Sequence, residues 1–423
     1  MHSFIINSSR KKQTDYVVVS FCFVVIDTGH FIENTALSKK YRHYRPKEAL
    51  GFWPSVSADL WIHCASVGEV LAVRPLIVQL REKHPTYRFL ITTMTPTGAE
   101  QVEKSFPFAE HRYLPMDWRF SVKRALKQLT CKHLLIVETE LWPNLLFQAK
   151  QQGLRVDVVN ARLSERSFLR YQKFSHVSRP LFKLPDSFLA HAKSDAERFE
   201  ALGAKKVLTT GSIKFDLAVS PDVLEDNWRE QLGSRFVWIA ASTHQGEDEI
   251  ALNAHKALLQ KESDALLLLV PRHPERFDTV YALAKQHFEK VGLRSQESPG
   301  QWSKFDVVIG DSMGEMMHYY QASALAFVGG SLIKRGGHNP IEPALLGKVI
   351  LVGPHTFNFL DITKQLIQIK GAIRCLDETA LEEALISFAS NPSLCYRVGR
   401  AAQRFAEKNQ GAVTRVLSEI DFR

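Results

Sequence analysis

The sequence predicts an α/β protein built as two consecutive doubly wound blocks, and three observations point there. From Asp59 onward, short apolar runs alternate with longer amphipathic stretches, the pattern of β-α units in a parallel sheet. The alternation pauses at FDLAVSPDVLEDNWREQLGSR, a polar stretch containing Pro221, and then restarts. The 423 residues suffice for two or three domains, each large enough to bury its own core. Two doubly wound domains leave a cleft between facing strand ends, an arrangement suited to two substrates.

Before the alternation begins, the N-terminus is unusual. Tyr16 to Ile26, YVVVSFCFVVI, is strongly apolar and follows Arg10-Lys11-Lys12. It resembles the basic and apolar regions of a signal peptide, but no clear A-x-A site follows. It is about half the roughly 20 residues that a spanning helix needs. A membrane-associated anchor, a buried strand and a mis-assigned start all remain open. The next segment, KKYRHYRPKEALGFWP from Lys39 to Pro54, mixes basic residues with aromatics. It reads either as a solvated loop or as a patch seated on anionic head groups.

In the first block the expected strands are DLWIHCA, RFLITTM, HLLIVET, RVDVVNA, SFLAHA and KVLTTGS. Helical patterns lie between several of them. VLAVRPLIVQLREKH is one, and SDAERFEALGA is another, with a Ser-x-x-Glu start at Ser194 and a stop at Gly203. In the second block the strands are FVWIAAS, ALLLLVPR, FDVVIGD, ALAFVGG and KVILVGP, and the end from about Pro392 reads as terminal helix. The expected divisions are 1–38 (possible anchor), 39–220 and 221–423.

Composition narrows the function without choosing it. The chain is 45% hydrophobic and 23% charged, ordinary for a soluble globular protein, and its net charge of +9 favours an anionic partner. Nucleic acid, anionic lipid and sugar nucleotide all qualify. The 5 cysteines are scattered with no C-x-x-C, which argues against a disulfide framework or zinc site and fits a reducing compartment. Among the 16 histidines no H-E-x-x-H or comparable pair marks a metal site.

The chemistry-bearing residues lie where strands end, as open α/β sheets require. In the first block, Ser66-Val67-Gly68-Glu69 fits the capping-box pattern, so Glu69 is either a cap or a carboxylate facing substrate. Glu138 and Glu140 flank Thr139; in extended chain they would share a face and form a carboxylate couple, though such acids are often solvated loop residues. Lys214 of GSIKFD stands near the domain boundary, where an ammonium meets an anion. In the second block three strand ends stand out: VPRHPERF with Pro271 and Arg272, GDSMGEMMHYY with Met313-Gly314-Glu315, and AFVGGSLIKRGGHNPIEPALLG with Asn339-Pro340-Ile341-Glu342. Glycines let backbone approach a ligand, helix N-termini offer N–H groups to an anion, and arginine forks suit phosphate. Any one such loop can be only a tight turn; three together describe a nucleotide site. No P-loop or G-x-G-x-x-G fingerprint is present, so NAD is not expected.

Taken in this order, the segments ASVGEVLAVRPL, TTMTPTGAEQV, ETELWPNLL, NARLSERS, GSIKFD, STHQGEDE, VPRHPERF, GDSMGEM and FVGGSLIKRGGHNPIEPALLG…GPHTFNF resemble the 3-deoxy-D-manno-oct-2-ulosonic acid (Kdo) transferases of lipopolysaccharide synthesis. The resemblance runs from about Lys39 to the C-terminus. It implies a glycosyltransferase B arrangement, two Rossmann-like doubly wound domains facing across a cleft. The N-terminal domain would take the lipid A precursor lipid IVA and the C-terminal domain CMP-Kdo. Matched by position, Glu69 would be the proton acceptor, and Glu138 and Lys214 transition-state stabilisers. Pro271, Arg272, Met313, Gly314, Glu315, Asn339, Pro340, Ile341 and Glu342 would contact CMP. No metal, other cofactor or nucleic acid is implied. The location implied is the cytoplasmic face of the cell inner membrane, reached peripherally or through an N-terminal anchor. The front departs from the family: the apolar run is shorter, and DTGHFIENTALS separates it from Lys39.

A base must be unprotonated to work, and the dipole of a helix N-terminus is expected to keep Glu69 ionised, with Ser66 taking or sharing the cap. Direct displacement by one base predicts inversion at the anomeric carbon. The competing readings are a UDP-sugar lipid glycosyltransferase, a sugar-nucleotide epimerase and a non-enzymatic basic module.

Overall fold

The computed structural model describes residues 45–217 and 219–420. The Tyr16–Ile26 run and the division 1–38 lie outside them. Among the described residues no helix is long and apolar enough to cross a membrane. The chain forms two compact units, the first ending at Asp216 and resuming at Gln410, the second running from Leu217 to Asn409.

The first unit contains β1 (Val56–Ser57), β2 (Leu60–His63), β3 (Phe89–Thr93), β4 (Glu110–Tyr113), β5 (Leu129–Thr130), β6 (His133–Val137), β7 (Arg155–Ala161), β8 (Ser187–Ala190) and β9 (Val207–Thr209). β1 and β5 make a small parallel pair, and the others form a seven-stranded sheet in the order β4-β3-β2-β6-β7-β8-β9. Every neighbouring pair in that sheet is parallel. Side chains alternate between two cores as strand pleating requires. Trp61, Leu134, Ile136, Val156 and Val158 pack on one face. Leu60, Ile62, Leu135, Val137 and Val159 pack on the other. A sheet covered on both faces explains why these strands read as continuous apolar runs.

The second unit repeats the plan with β10 (Val237–Thr243), β11 (Leu266–Pro271), β12 (Val291–Leu293), β13 (Val307–Ile309), β14 (Leu325–Val328), β15 (Val349–Val352) and β16 (Ala372–Arg374). Their order is β12-β13-β11-β10-β14-β15-β16. Trp238, Ala240, Leu267 and Leu269 face one core, and Val237, Ile239, Leu266 and Leu268 the other.

Strand order reverses beside β2 in the first sheet and beside β10 in the second. On one side of each the chain lays the next strands of the sheet, β3 and β4 or β11 to β13, then crosses back to lay β6 or β14 on the other. Such reversals part the flanking loops and open a crevice beyond the carboxyl ends of the strands. The loops after β2, β6, β10 and β14 therefore border the two crevices, and they carry most of the acids, histidines and glycines noted above.

Two local expectations change. The helix Lys193–Ala201 has Ala192 as its N-cap, so Ser194 lies inside the first turn rather than capping it. The terminal helix is two helices, Pro392–Asn409 and Ala412–Glu419, broken at Gly411 with φ 84°. The second of these belongs to the first unit: Ala412, Val413, Val416 and Ile420 pack in the same core as Val70, Val73 and Ile77 of the helix Val67–Lys83.

Candidate active site

β2 ends at His63, and the chain turns through Cys64 and Ala65 into the helix Val67–Lys83, whose N-cap is Ser66. The serine side chain caps no backbone group. Its Oγ donates instead to Glu69 Oε1 at 3.1 Å, while Glu69 Oε2 accepts from the Ala65 N–H at 2.7 Å. Glu69 thus reaches back over the turn one residue further than an ordinary capping box. It is only 8% exposed.

Burial, with the charges of neighbouring Glu140 and Glu138, pushes the Glu69 carboxyl up to about 8 against the opposing Ala65 and Ser66 hydrogen bonds. This corrects the expectation that the helix dipole keeps Glu69 ionised. A helix N-terminus is worth at most a couple of kcal/mol, and desolvation with two acidic neighbours outweighs it. At neutral pH the resting group holds its proton much of the time.

Glu138 follows β6 directly. It sits in the left-handed region at φ 61°, strained for a side chain of its kind. Its N–H donates to the Val159 carbonyl at 2.9 Å, and its Oε1 accepts from Lys214 Nζ at 2.9 Å. The segment is a turn rather than extended chain, so Glu138 and Glu140 do not pair as strand neighbours on one face. They act together instead through their charges on Glu69.

Lys214 stands on the short turn Ile213–Phe215, where its N–H donates to Ser212 Oγ at 3.3 Å. The next residue but one, Asp216, accepts from the N–H groups of Gly411 and Val413 at the start of the final helix. Arg415 of that helix donates to the Thr210 carbonyl at 2.7 Å. The chain end therefore fixes the lysine turn from behind. The first unit brings together Glu69, Glu138, Glu140 and Lys214.

In the second unit the glycine-rich turn after β14 does not offer its N–H groups outward. Glu247, fully buried in the first turn of the helix Glu247–Leu259, takes them. Its Oε2 accepts from Gly330 at 2.7 Å and His244 at 3.1 Å, and its Oε1 from Ser331 and Leu332, each at 3.0 Å. Gly329 has no room for a side chain: a Cβ there would lie 2.5 Å from the Ser242 carbonyl oxygen. Those glycines serve the join between two strand ends, a correction to their reading as an anion cradle. The helix after Pro340 is only Ile341–Leu345, and its first N–H is taken by Asn339 Oδ1 at 3.0 Å.

What surrounds that join is a basic and histidine-rich cluster. His244 and His338 stack with centroids 5.1 Å apart, and their Nε2 atoms are 2.9 Å apart. Burial pulls both down to about 4; His273 and nearby Arg335, Arg276 and Arg272 add to it for His244, and Arg272, His244 and His273 for His338. Both rings are therefore neutral at pH 7, one donating to the other. Arg276 is committed to Asp248 and to the Thr243 carbonyl, the latter at 3.0 Å. Arg272 anchors by its backbone N–H to Thr243 O at 3.0 Å, and the residue is exposed. Burial raises the Glu342 carboxyl, opposed by Asn339 and Arg272, so Arg272, Asn339 and Glu342 belong to one cluster with the two histidines.

Met313, Gly314 and Glu315 follow the neighbouring strand β13. Glu315 pairs with Arg294 at 2.8 Å, and its other carboxylate oxygen is buried with no partner among the described residues. No contact joins Glu315 to Arg272 or Glu342 among the described hydrogen bonds. Among the described residues no group of three or more His, Cys, Asp or Glu could hold a metal ion.

Residues 37–217 match the family model for 3-deoxy-D-manno-octulosonic-acid transferase (kdotransferase). The 3-deoxy-D-manno-octulosonic acid transferase of Haemophilus influenzae is 39% identical over 90% of this chain and 92% of its own length. The chain belongs to the Kdo transferase family. The transferase of that name from Bordetella pertussis is 34% identical over 86% of this chain and 87% of its own. As members of this family do, the enzyme transfers Kdo and is a glycosyltransferase. Its fold is shared with the UDP-GlcNAc 2-epimerase of Neisseria meningitidis, at a TM-score of 0.57 and 13% identity, over 86% of this chain and 99% of that one.

Sequence reasoning on this transferase missed Glu247, His244 and His338. The signal was present in STHQGEDE, where three acids open a helix. Nothing local in the sequence distinguishes the two acids that turn inward, Glu247 and Asp248, from Glu249.

Proposed function

We propose that the enzyme moves Kdo from CMP-Kdo to a hydroxyl of lipid IVA in lipopolysaccharide synthesis, with inversion and with Glu69 as the base. The observation that carries this reading is Glu69: a carboxyl buried beside a strand-order reversal, its proton affinity raised to about 8 by burial and by Glu140 and Glu138. General bases are most effective when their pKa lies near the operating pH. In the deprotonated enzyme Glu69 takes the proton of the attacking hydroxyl as the new C–O bond forms and the C–O bond to the CMP phosphate breaks. Glu138, paired with Lys214, opposes the positive charge that develops on the anomeric carbon. Lys214 balances the negative charge nearby.

In the donor half, Pro271 and Arg272, Met313 to Glu315 and Asn339 to Glu342 contact CMP. The bare oxygen of Glu315 suits a ribose hydroxyl, and the Arg272 fork suits the phosphate. Neutral His244 and His338 add hydrogen-bonding groups to that cluster without added charge. The positive charge of arginine meets the leaving phosphate, so transfer proceeds without a divalent ion. The enzyme works at the cytoplasmic face of the inner membrane, where a lipid acceptor is embedded.

Product analysis tests the reading: purified enzyme, CMP-Kdo and lipid IVA, with mass spectrometry for mass gain and NMR for anomeric configuration. Kdo-bearing lipid of inverted configuration, formed equally with and without chelator, is the expected result. Retention of configuration would remove the single-base mechanism, and transfer from a UDP-sugar instead would remove the donor assignment.

A further inference from the structure

The geometry points to Arg294 as a positioning residue of the donor half: seated on Trp228, it fixes the direction of Glu315 and leaves one oxygen of that carboxylate for the nucleotide. The inference rests on the reading above that Glu315 contacts CMP.

The loop from Asp311 to Glu315 follows β13, and the two residues that follow β12 hold it at both ends. At the near end Ser295 donates to Asp311 twice, through its N–H to Oδ1 at 2.8 Å and through its hydroxyl to Oδ2. At the far end Arg294 Nη2 donates to Glu315 Oε1 at 2.8 Å. The tip between them stays open. Met313 is 58% exposed, and Gly314, at φ 88°, has nothing within 4 Å of the place a Cβ would take. Gly310, at the root, has no room for a side chain, since a Cβ would lie 2.7 Å from Val270 Cγ2. That contact seats the loop against the end of β11, next to Pro271 and Arg272. The loop is braced at its root and flanks, with a free tip.

Arg294 is itself fixed. Its N–H donates to the Ile309 carbonyl at 2.9 Å, at the exit of β13. Its guanidinium lies 4.9 Å from the centre of the Trp228 ring, where a planar cation meets the negative face of the indole. Trp228 meets Trp302 edge to face at 5.3 Å and stacks on His318 at 5.2 Å. His318 Nδ1 in turn pairs with Asp226 Oδ2 at 2.6 Å. The arginine is aimed from a packed support.

The form of the ion pair matters as much as its presence. Arginine often grips a carboxylate with two parallel hydrogen bonds, which would consume both of its oxygens. Here only one is made. Arg294 Nε and Glu315 Oε2 are both buried with no partner among the described residues. A buried charged oxygen left bare is a cost to the folded state until a donor group takes it. The pair is also well shielded, with side chains 24% and 27% exposed, so solvent screens it less than an ion pair on the surface. Fixing Glu315 before the nucleotide arrives removes the ordering cost that a free side chain incurs on binding, worth several-fold to about tenfold in affinity.

The test is a double-mutant cycle on the full chain, read as CMP affinity by calorimetry and as KM and kcat for CMP-Kdo. The variants are R294Q, E315Q and the double R294Q/E315Q, with R294K as the milder change should R294Q not fold. Circular dichroism melts report folding. R294Q should weaken CMP by about tenfold and raise KM for CMP-Kdo by a similar factor, with kcat within about twofold of the parent. R294K should lose about threefold in the same two readouts. Beside E315Q the R294Q change should have less than about twofold effect, because the group through which Arg294 acts is already altered. A folded R294Q enzyme with parental CMP affinity would overturn the inference. So would a tenfold loss that persists in full beside E315Q, or a fall in kcat alone. E315Q by itself reads the premise: parental affinity there would remove Glu315 from the donor site, and this inference with it.

Discussion

Glu69 is an acid that folding holds partly protonated, and stability should register it as well as rate. Its folded pKa, about 8, lies above its unfolded value near 4.5. Below pH 4 both states hold the proton and nothing is lost. As pH rises from there through 8, the unfolded chain releases its proton first, and the folded state loses stability on the order of 5 kcal/mol. Glu69→Gln removes that loss. Its melting temperature should equal the parent's near pH 4 and exceed it at pH 9; a constant difference across that range would mean Glu69 is not strained by burial. Lys214→Met tests the charge balance of the same cluster. Without the ammonium beside Glu138, the cluster loses its counter-charge, so turnover should fall and the pH at which activity rises should move higher. An unchanged pH profile would separate Lys214 from Glu69.

At the scale of elements, the join built by Glu247 holds two strand ends in register without touching substrate. Four backbone N–H groups converge on its carboxylate. Glu247→Ala leaves them buried without an acceptor, which should cost about 3 kcal/mol or more and weaken CMP binding through displacement of His244 and the Gly329–Leu332 turn. Calorimetry on the variant with CMP checks it; unchanged affinity would make the join irrelevant to the donor site. The buried strands were legible in the sequence because parallel strands covered on both faces are almost wholly apolar. The strands it did not show include three sheet edges: Glu110–Tyr113, Val291–Leu293 and Ala372–Arg374. Edges are short or half-solvated, so no apolar run marks them. The site was legible as a set of strand ends, because loops after parallel strands carry the ligands. What each carboxylate does there was not: Glu69 and Glu342 both read as acids at a helix start, and Glu247 was passed over. Only tertiary burial separates a proton acceptor from a backbone clamp.

For the whole molecule, the chain leaves the first unit at Asp216 and returns at Gln410, and a contiguous reading of the second block to Arg423 misses that return. The returning helix buries Val413, Val416 and Ile420, contributing on the order of 5 kcal/mol, and through Asp216 it steadies the Lys214 turn. Truncation after Asn409 should therefore abolish transfer and lower the melting temperature, while CMP binding by the second unit survives; loss of CMP binding as well would show that the units do not fold separately. The measurement that bears most directly on the chemistry is the single-turnover rate of transfer from CMP-Kdo between pH 6 and 9, for the parent and Glu69→Gln. The parent rate should climb toward a plateau above about pH 8, and the variant should be slower by about two to four orders of magnitude with no such rise. A folded Glu69→Gln enzyme that transfers Kdo at close to the parent rate would contradict the account.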